Sequence, residues 1–337
     1  MAGEISSSGR LLDSDITAMA MRWKAVLGGQ VLALLTACTS IGASLLVHVG
    51  IVAPLFQLLW FYVLVCLLCT GVLIHETLKG KIKLSVWKLA QILLGSVIDS
   101  QANLLIMYSF AFTSVTSASV LLQTSTLTAA VLSFVLNGQR FSSAECLGLG
   151  LCLLGIVGIV LSDLSEQNWQ WEGEAKGDLM AAAGATLFSL DSVYQERLVK
   201  RGIAPYELLT FLSLFAAPIT ALEGLLMEWK EIQRIHTYQQ VACLVLLACC
   251  YSAFYILMPN YIKAYGATLF NMSLTTNIIY TLLFAVTAYR ERVKWLYLAG
   301  FIVTLTGLVL YNLVAVRRTA IRTPPLLSRT SSFSSLQ

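Results

Sequence analysis

The chain has 337 residues, of which 57% are hydrophobic and 12% charged, with a formal charge of +4 and a mean hydropathy of +0.76. Soluble domains carry about 25% charged residues, so this balance excludes a soluble domain and requires lipid as solvent. The positive charge is scattered over short connections, without the basic aromatic surface a nucleic-acid partner needs; the lipid bilayer is the expected partner.

Residues 1–24 carry three acids and lack the apolar stretch of a signal peptide. They read as a cytosolic segment, with the first hydrophobic helix acting as its own insertion signal. Ala2 follows Met1 where N-myristoylation requires glycine, so no lipid anchor is expected.

Ten apolar runs follow, at about 25–47, 54–75, 88–111, 115–136, 144–162, 177–195, 206–227, 238–259, 266–288 and 295–316. Each is close to the ~20 residues that a helix needs to cross about 30 Å of hydrocarbon. Trp23, Trp87, Trp169, Trp171, Trp229 and Trp295 stand at or near run ends, as interfacial anchors do. The longest connection divides the chain into a first five-helix unit (25–163), a non-cytosolic loop (164–176) and a second five-helix unit (177–316). The Ser- and Pro-rich segment 317–337 is expected to be a disordered cytosolic tail. With both termini cytosolic, 16 of the 22 lysines and arginines fall on the cytosolic side, as the positive-inside rule demands. Arg290, Arg292 and Lys294 are the local exception.

Offsetting the chain by 152 residues without a gap aligns Gly148 with Gly300, Gly155 with Gly307, Thr116 with Thr268, Thr124 with Thr276 and Arg140 with Arg292. Five helices per half is an odd number, so the halves run in opposite senses. The expected fold is therefore an all-α membrane protein of ten transmembrane helices built as two inverted five-helix repeats, with a site near the midplane between them. Glycines of helices five and ten allow close helix approach, within one chain or in a homodimer.

Polar residues inside the runs are the candidate site. In the third run, "GSVIDSQANLLIMYSF", Gly95, Asp99, Asn103 and Met107 recur every four residues and share a helix face. Leu104, Leu105 and Tyr108 read as packing. A carboxylate at this depth must face the bundle interior, a wet cavity or a partner. No basic residue lies at matching depth, so hydrogen bonds are expected to hold Asp99, either on a transport pathway or in a structural knot. Thr116, Ser119, Gln123 and Thr126 line one face of the fourth run, and Thr268, Asn271 and Thr275 one face of the ninth. Tyr251, Tyr255 and Tyr280 read as aromatic packing or as stacking surfaces for a ring. Asp191 with Tyr194 lies in the sixth run near its cytosolic end, where it reads either as a pathway acid or as an acid solvated at the interface. All eight cysteines lie within apolar runs and read as small core residues, without metal or disulfide partners.

"GSVIDSQANLLIMYSFAFTSVTSASVLL", "GDLMAAAGATLFSLDSVYQERLVK", "LLTFLSLFAA" and "YGATLFNMSLTTN" followed by "ERVKWLYLAGF" resemble subfamily F of solute carrier family 35, within the drug/metabolite transporter superfamily. The resemblance spans roughly residues 25–316. Its motifs are Asp99 with Ala102 and Asn103, then Thr116-Ser117, then Gly177-Asp178 with Gly184-Ala185-Thr186-Leu187. The chain departs from the family where relatives carry acids: Gln123 and Ile278 replace them, Gln195-Glu196 replaces a Glu-Glu pair, and Asp191 lies outside the pattern. The resemblance implies secondary-active, alternating-access transport of a small polar organic solute, such as a nucleotide-sugar or a nucleoside- or nucleobase-like metabolite, through a central cavity. The alternative is a transport-inactive receptor or scaffold of the same fold. The expected pathway residues are Asp99, Asn103, Gln123, Thr116, Asn271, Thr275, Tyr255, Asp191 and Glu196. No nucleotide-binding loop, His-Glu-x-x-His pair or Ser-His-Asp set occurs, so neither enzymatic activity, cofactor nor metal is expected.

Overall fold

A computed structural model of the chain describes residues 2–79, 85–138, 141–164, 171–289 and 295–322, with most side chains described between residues 23 and 314. Lys81, Lys83, Arg140, Arg290, Arg292, Lys294 and Arg329, counted in the charge asymmetry, lie outside the described residues. Every regular element among the described residues is helical. The helices are α1 (Ala2–His48), α2 (Pro54–Leu78), α3 (Val86–Phe112), α4 (Val115–Leu121), α5 (Thr124–Asn137), α6 (Ser143–Leu164) and α7 (Trp171–Lys200). They continue as α8 (Pro205–Met227), α9 (Trp229–Ile232), α10 (Tyr238–Tyr265), α11 (Ala267–Leu274), α12 (Asn277–Phe284), a π-helical turn (Ala285–Tyr289) and α13 (Trp295–Arg322). Pro54 and Pro205 open α2 and α8, where a missing N–H leaves no bond unmade.

The protein is an all-α membrane protein. Among the described residues, seven segments are long and apolar enough to cross a bilayer: Trp23–His48, Pro54–Leu78, Val86–Phe112, Ser117–Val135, Pro205–Met227, Tyr238–Tyr265 and Ala267–Ala288. The other three apolar runs of the sequence fall on α6 and α13, whose apolar stretches are shorter, and on α7, which carries Lys176, Asp178, Asp191 and Glu196. The outward faces are apolar, with Leu67, Leu154, Leu226 and Val135 more than half exposed. Polar side chains such as Asp99, Asn103 and Asp191 are fully buried. This inside-out distribution is what a lipid solvent selects.

Two helices are interrupted, a feature that hydrophobicity does not reveal. Between α4 and α5, Gln123, Ser125 and Thr126 donate their N–H groups to the carbonyls three residues back, and Thr275, Thr276, Ile278 and Ile279 do the same between α11 and α12. These tightened turns are accompanied by side chains that bond their own backbone. Gln123 Nε2 donates to the Ser119 carbonyl at 2.8 Å, Thr124 Oγ1 to Leu121 at 2.8 Å and Thr276 Oγ1 to Ser273 at 2.9 Å. Such bonds compete with the regular ladder and bend it.

The most extensive helix contact is α6 against α13; α3 with α7, α2 with α8 and α1 with α10 follow. Glycines make the first seam. A Cβ on Gly148 would lie 2.8 Å from the Gly307 carbonyl oxygen, and one on Gly155 would lie 2.6 Å from that of Gly300. The close approach that these glycines permit is thus used within one chain. The α3–α7 seam closes in the same way at Gly184, whose Cβ would meet the Ile106 N atom at 3.0 Å and the Ala102 carbonyl oxygen at 3.1 Å.

Candidate functional site

The polar face of α3 points into the centre of the bundle. Gly95, Asp99, Asn103 and Met107 are all buried, as the four-residue spacing requires. Around Asp99, neighbouring helices contribute hydroxyls and amides. Tyr62 of α2 donates its hydroxyl to Asp99 Oδ2 at 2.7 Å, and Tyr255 of α10 donates to Oδ1 at 2.5 Å. Asn103 Nδ2 lies 3.1 Å from the same Oδ1, 2.9 Å from the Asp99 carbonyl oxygen and 2.5 Å from the Tyr255 hydroxyl. Two amide hydrogens are shared among these acceptors, and Tyr251 of α10 donates to Asn103 Oδ1. The acid is held by neutral donors, as expected, and among the described residues no Lys or Arg is paired with it.

The rings of the same tyrosines pack as they donate. Phe61 stacks obliquely on Tyr62, Tyr251 and Tyr255 with centroids 4.0, 4.4 and 4.8 Å apart. The two readings of Tyr251 and Tyr255 therefore combine, with apolar faces in the core and hydroxyls on the acid and its amide.

Asp191 corrects one expectation. It is not at a solvated helix end but fully buried, with its carboxyl close enough to interact with that of Asp99. The α3–α7 packing sets this register: Gly95 lies against the Tyr194 ring, and Ala102 and Ile106 lie against Gly184, which brings residues 99 and 191 to one level. Gln195 Nε2 donates to Asp191 Oδ2 at 2.6 Å, while Asp191 Oδ1 and Gln195 Oε1 are buried without a hydrogen-bond partner.

Beside this network is a cavity of about 50 Å³. Thr36, Thr39 and Ser40 of α1, Met107 of α3, Gln123 at the first helix break, Phe188 of α7, Tyr251 of α10 and Asn277 at the second break line it. Among the described residues, none of α6 or α13 does. Gln123 Nε2 also lies 3.3 Å from Asn277 Oδ1, which joins the two interrupted helices across the cavity, and Gln123 Oε1 has no partner. Among the described residues, no group of three or more His, Cys, Asp or Glu is placed to hold a metal ion.

The structure thus brings Asp99, Asn103, Tyr255 and Asp191 into one cluster, with Gln123 on the adjoining cavity wall. It places the other expected site residues elsewhere. Asn271 is buried between helices, donating to Ser192 Oγ at 2.8 Å and receiving Thr126 Oγ1 on its carbonyl at 3.1 Å. Thr275 turns its hydroxyl back to the Met272 carbonyl at 2.5 Å. Glu196 accepts the Ala267 N–H at the start of α11 at 3.1 Å and pairs with Lys200. The Thr116 side chain lies outside the described ones. Tyr108 does more than pack, donating to Glu228 Oε1 at 2.9 Å, and Tyr280 donates to Gln30 Oε1 at 3.1 Å instead of lining the cavity. Sequence reasoning misses Tyr62, Asn277 and Gln195 as site residues. Tyr62 sits in "LLWFYVLV", where one hydroxyl leaves no periodic signal, and Asn277 follows Thr275-Thr276, where a helix break could be suspected.

The sequence profile of subfamily F of solute carrier family 35, described as "Solute carrier family 35", matches residues 19–313. "Solute carrier family 35 member F2" of Mus musculus is 28% identical over 92% of this chain and 84% of its own length. Its counterpart from Xenopus tropicalis is 30% identical over 77% of this chain and 68% of its own. A solved structure described as "Crystal structure of protein" superposes with a TM-score of 0.61 at 18% identity, covering 91% of this chain and 99% of the other. The last likeness establishes the fold alone.

Proposed function

The chain belongs to solute carrier family 35, and we propose on that basis that it is a secondary-active transporter that carries a small polar organic solute across a bilayer by alternating access. The observation that carries this reading is the meeting of two interrupted helices, at Gln123 and Asn277, on a cavity beside a buried acid with no basic counter-charge among its partners. Broken helices at a central cavity are where transporters expose backbone and polar side chains to a solute. At about 50 Å³ the cavity is far below the ~300 Å³ of a small-molecule site, so the described packing is a closed one that must open to load.

Several features support a ten-crossing inverted repeat behind this cycle. The two breaks fall at Gln123 and Thr275, which are equivalent under the 152-residue offset. The glycines that the offset equates, Gly148 with Gly300 and Gly155 with Gly307, contact each other crosswise. The α3–α7 contact has its repeat counterpart in α10–α1, and both are extensive. On this reading α6 and α13 form a lateral seam and the remaining crossings surround the solute. The Gln123 amide and the tyrosine hydroxyls would recognise a polar, uncharged or aromatic group.

Uptake of a labelled metabolite mixture into liposomes holding only the purified protein tests the function. Concentration of one solute class inside is the expected result. Binding without translocation would replace the proposal with the receptor or scaffold alternative.

A further inference from the structure

Two acids, Asp99 and Asp191, share the dry centre of the bundle, and the solute-binding reading uses only the first. Every titratable or charged group that faces them can be named. From α2 comes Tyr62 and from α10 come Tyr251 and Tyr255. From α3 and α7 come the acids themselves with Asn103 and Gln195, which carry no charge, and Tyr194, one turn after Asp191, whose hydroxyl donates to the Gln91 carbonyl at 3.0 Å. Charged groups of neighbouring elements are engaged elsewhere, Lys88 with Glu207 at 3.9 Å, Lys200 with Glu196, and Glu223 with Gln101 at 2.8 Å, and Arg201 beyond the end of α7 acts on Tyr194. The described side chains of α1, α4, α5 and α11 bring no charge to the pair.

Two negative charges on interacting carboxyls, fully buried and with no cation among their described partners, are too costly to coexist. A second observation points to what relieves them. Asp99 has donors on both oxygens, but Asp191 Oδ1 is buried and receives no hydrogen bond from a protein donor. An acceptor of that kind beside another carboxyl is a place for a hydrogen.

We propose that Asp99 and Asp191 form a proton-binding pair that holds one proton between them in this closed packing and carries the ion coupled to transport. The step is a simple ionisation. A carboxylate oxygen gains a proton from water on one face to form an O–H bond, and the bond breaks to return the proton to water on the other face, with no electron transferred. Opening of the α3–α7 seam exposes the pair and permits both events. Proton coupling rests on the transporter reading above, whereas proton binding does not.

Infrared difference spectra of the purified full-length protein, recorded against pH with no solute present, test the pair directly. The wild type should give a protonated-carboxyl C=O band that titrates, and the D99N/D191N double variant should lack it. An identical band in both proteins would overturn the proposal, as would a signal that follows sodium and ignores pH. If the double variant does not purify folded, D191N alone decides: loss of the band's wild-type pH dependence supports the pair, and its persistence overturns it. In liposomes, an imposed proton gradient should stimulate uptake at least tenfold in the wild type and not in D191N. Uptake that ignores the gradient in both proteins would sink the coupling while leaving the transporter intact. A titrating band in a protein that moves no solute would retain the proton site and remove the transporter.

Discussion

Substitution of the α6 glycines gives a test with its own internal control. A Cβ on Gly155 would collide with Thr304 Oγ1 and lie 2.5 Å from the Thr304 N atom and 2.6 Å from the Gly300 carbonyl oxygen. Two of these three atoms are backbone, so rotating a side chain cannot relieve the clash. Ordinary contact is about 3.5 Å, which forces α13 to retreat by roughly 1 Å along the most extensive seam in the molecule. Overpacking of this kind costs about 1–3 kcal/mol. At Gly150, less than two turns earlier on the same helix, an added Cβ would meet nothing within 4 Å. There Gly→Ala should stabilise by about 0.5–1 kcal/mol through helix propensity. The two variants differ by one methyl group each on one helix, yet should move in opposite directions. Unfolding in a single detergent, followed by heat or denaturant, measures both. Equal stabilities, or a Gly155→Ala variant at least as stable as the wild type, would refute the close α6–α13 approach.

The buried polar groups and the topology supply further tests. Asp99→Ala strands the donors of Tyr62, Tyr255 and Asn103 and should destabilise the protein by about 1–3 kcal/mol, whereas Asp99→Asn should stay folded and lose pH-sensitive uptake; a stable, fully active Asn variant would place the carboxylate in packing alone. Burial pushes the Glu228 carboxyl above the ordinary carboxylate range, with the Leu55 and Phe56 N–H groups and the Tyr108 hydroxyl pulling it back. The folded state then binds this proton more tightly than the unfolded chain, so the group's contribution is complete below the unfolded value of about 4.3 and is lost as pH rises through the folded value. Thermal stability of the wild type should accordingly fall relative to Glu228→Gln as the pH rises above about 4.3; a difference that grows in favour of the wild type would contradict that sign. Gln123→Leu should keep the fold and cut solute uptake severalfold, since it removes the polar link between the two helix breaks; unchanged uptake would take Gln123 off the cavity wall. Epitope tags at residues 5 and 335 should both be accessible from the cytosol, and one within 165–173 only from the opposite side; ends reporting opposite faces would remove the even crossing count.

The solvent, the helical class and the family are all legible in the linear chain, because hydrophobic length and composition report burial in lipid without reference to any neighbour. So is the shared face of Gly95, Asp99, Asn103 and Met107, which follows from helical pitch alone. Hydrophobicity runs on through 115–136 and 266–288 and so does not reveal the two helix breaks, which are marked by tightened backbone turns and by competing side-chain bonds from Gln123, Thr124, Thr275 and Thr276. What faces Asp99 depends on tertiary packing. The register of α3 against α7 depends on where Gly184 lets the backbones touch, and a one-turn slip would carry Asp191 away from the level of Asp99. Tyr62 and Tyr255 reach the acid from 37 and 156 residues away, and no periodicity within one helix encodes a partner on another. Pairing of buried polar groups is a property of how helices pack, and in lipid it is packing and hydrogen bonding, not hydrophobicity, that chooses the neighbours.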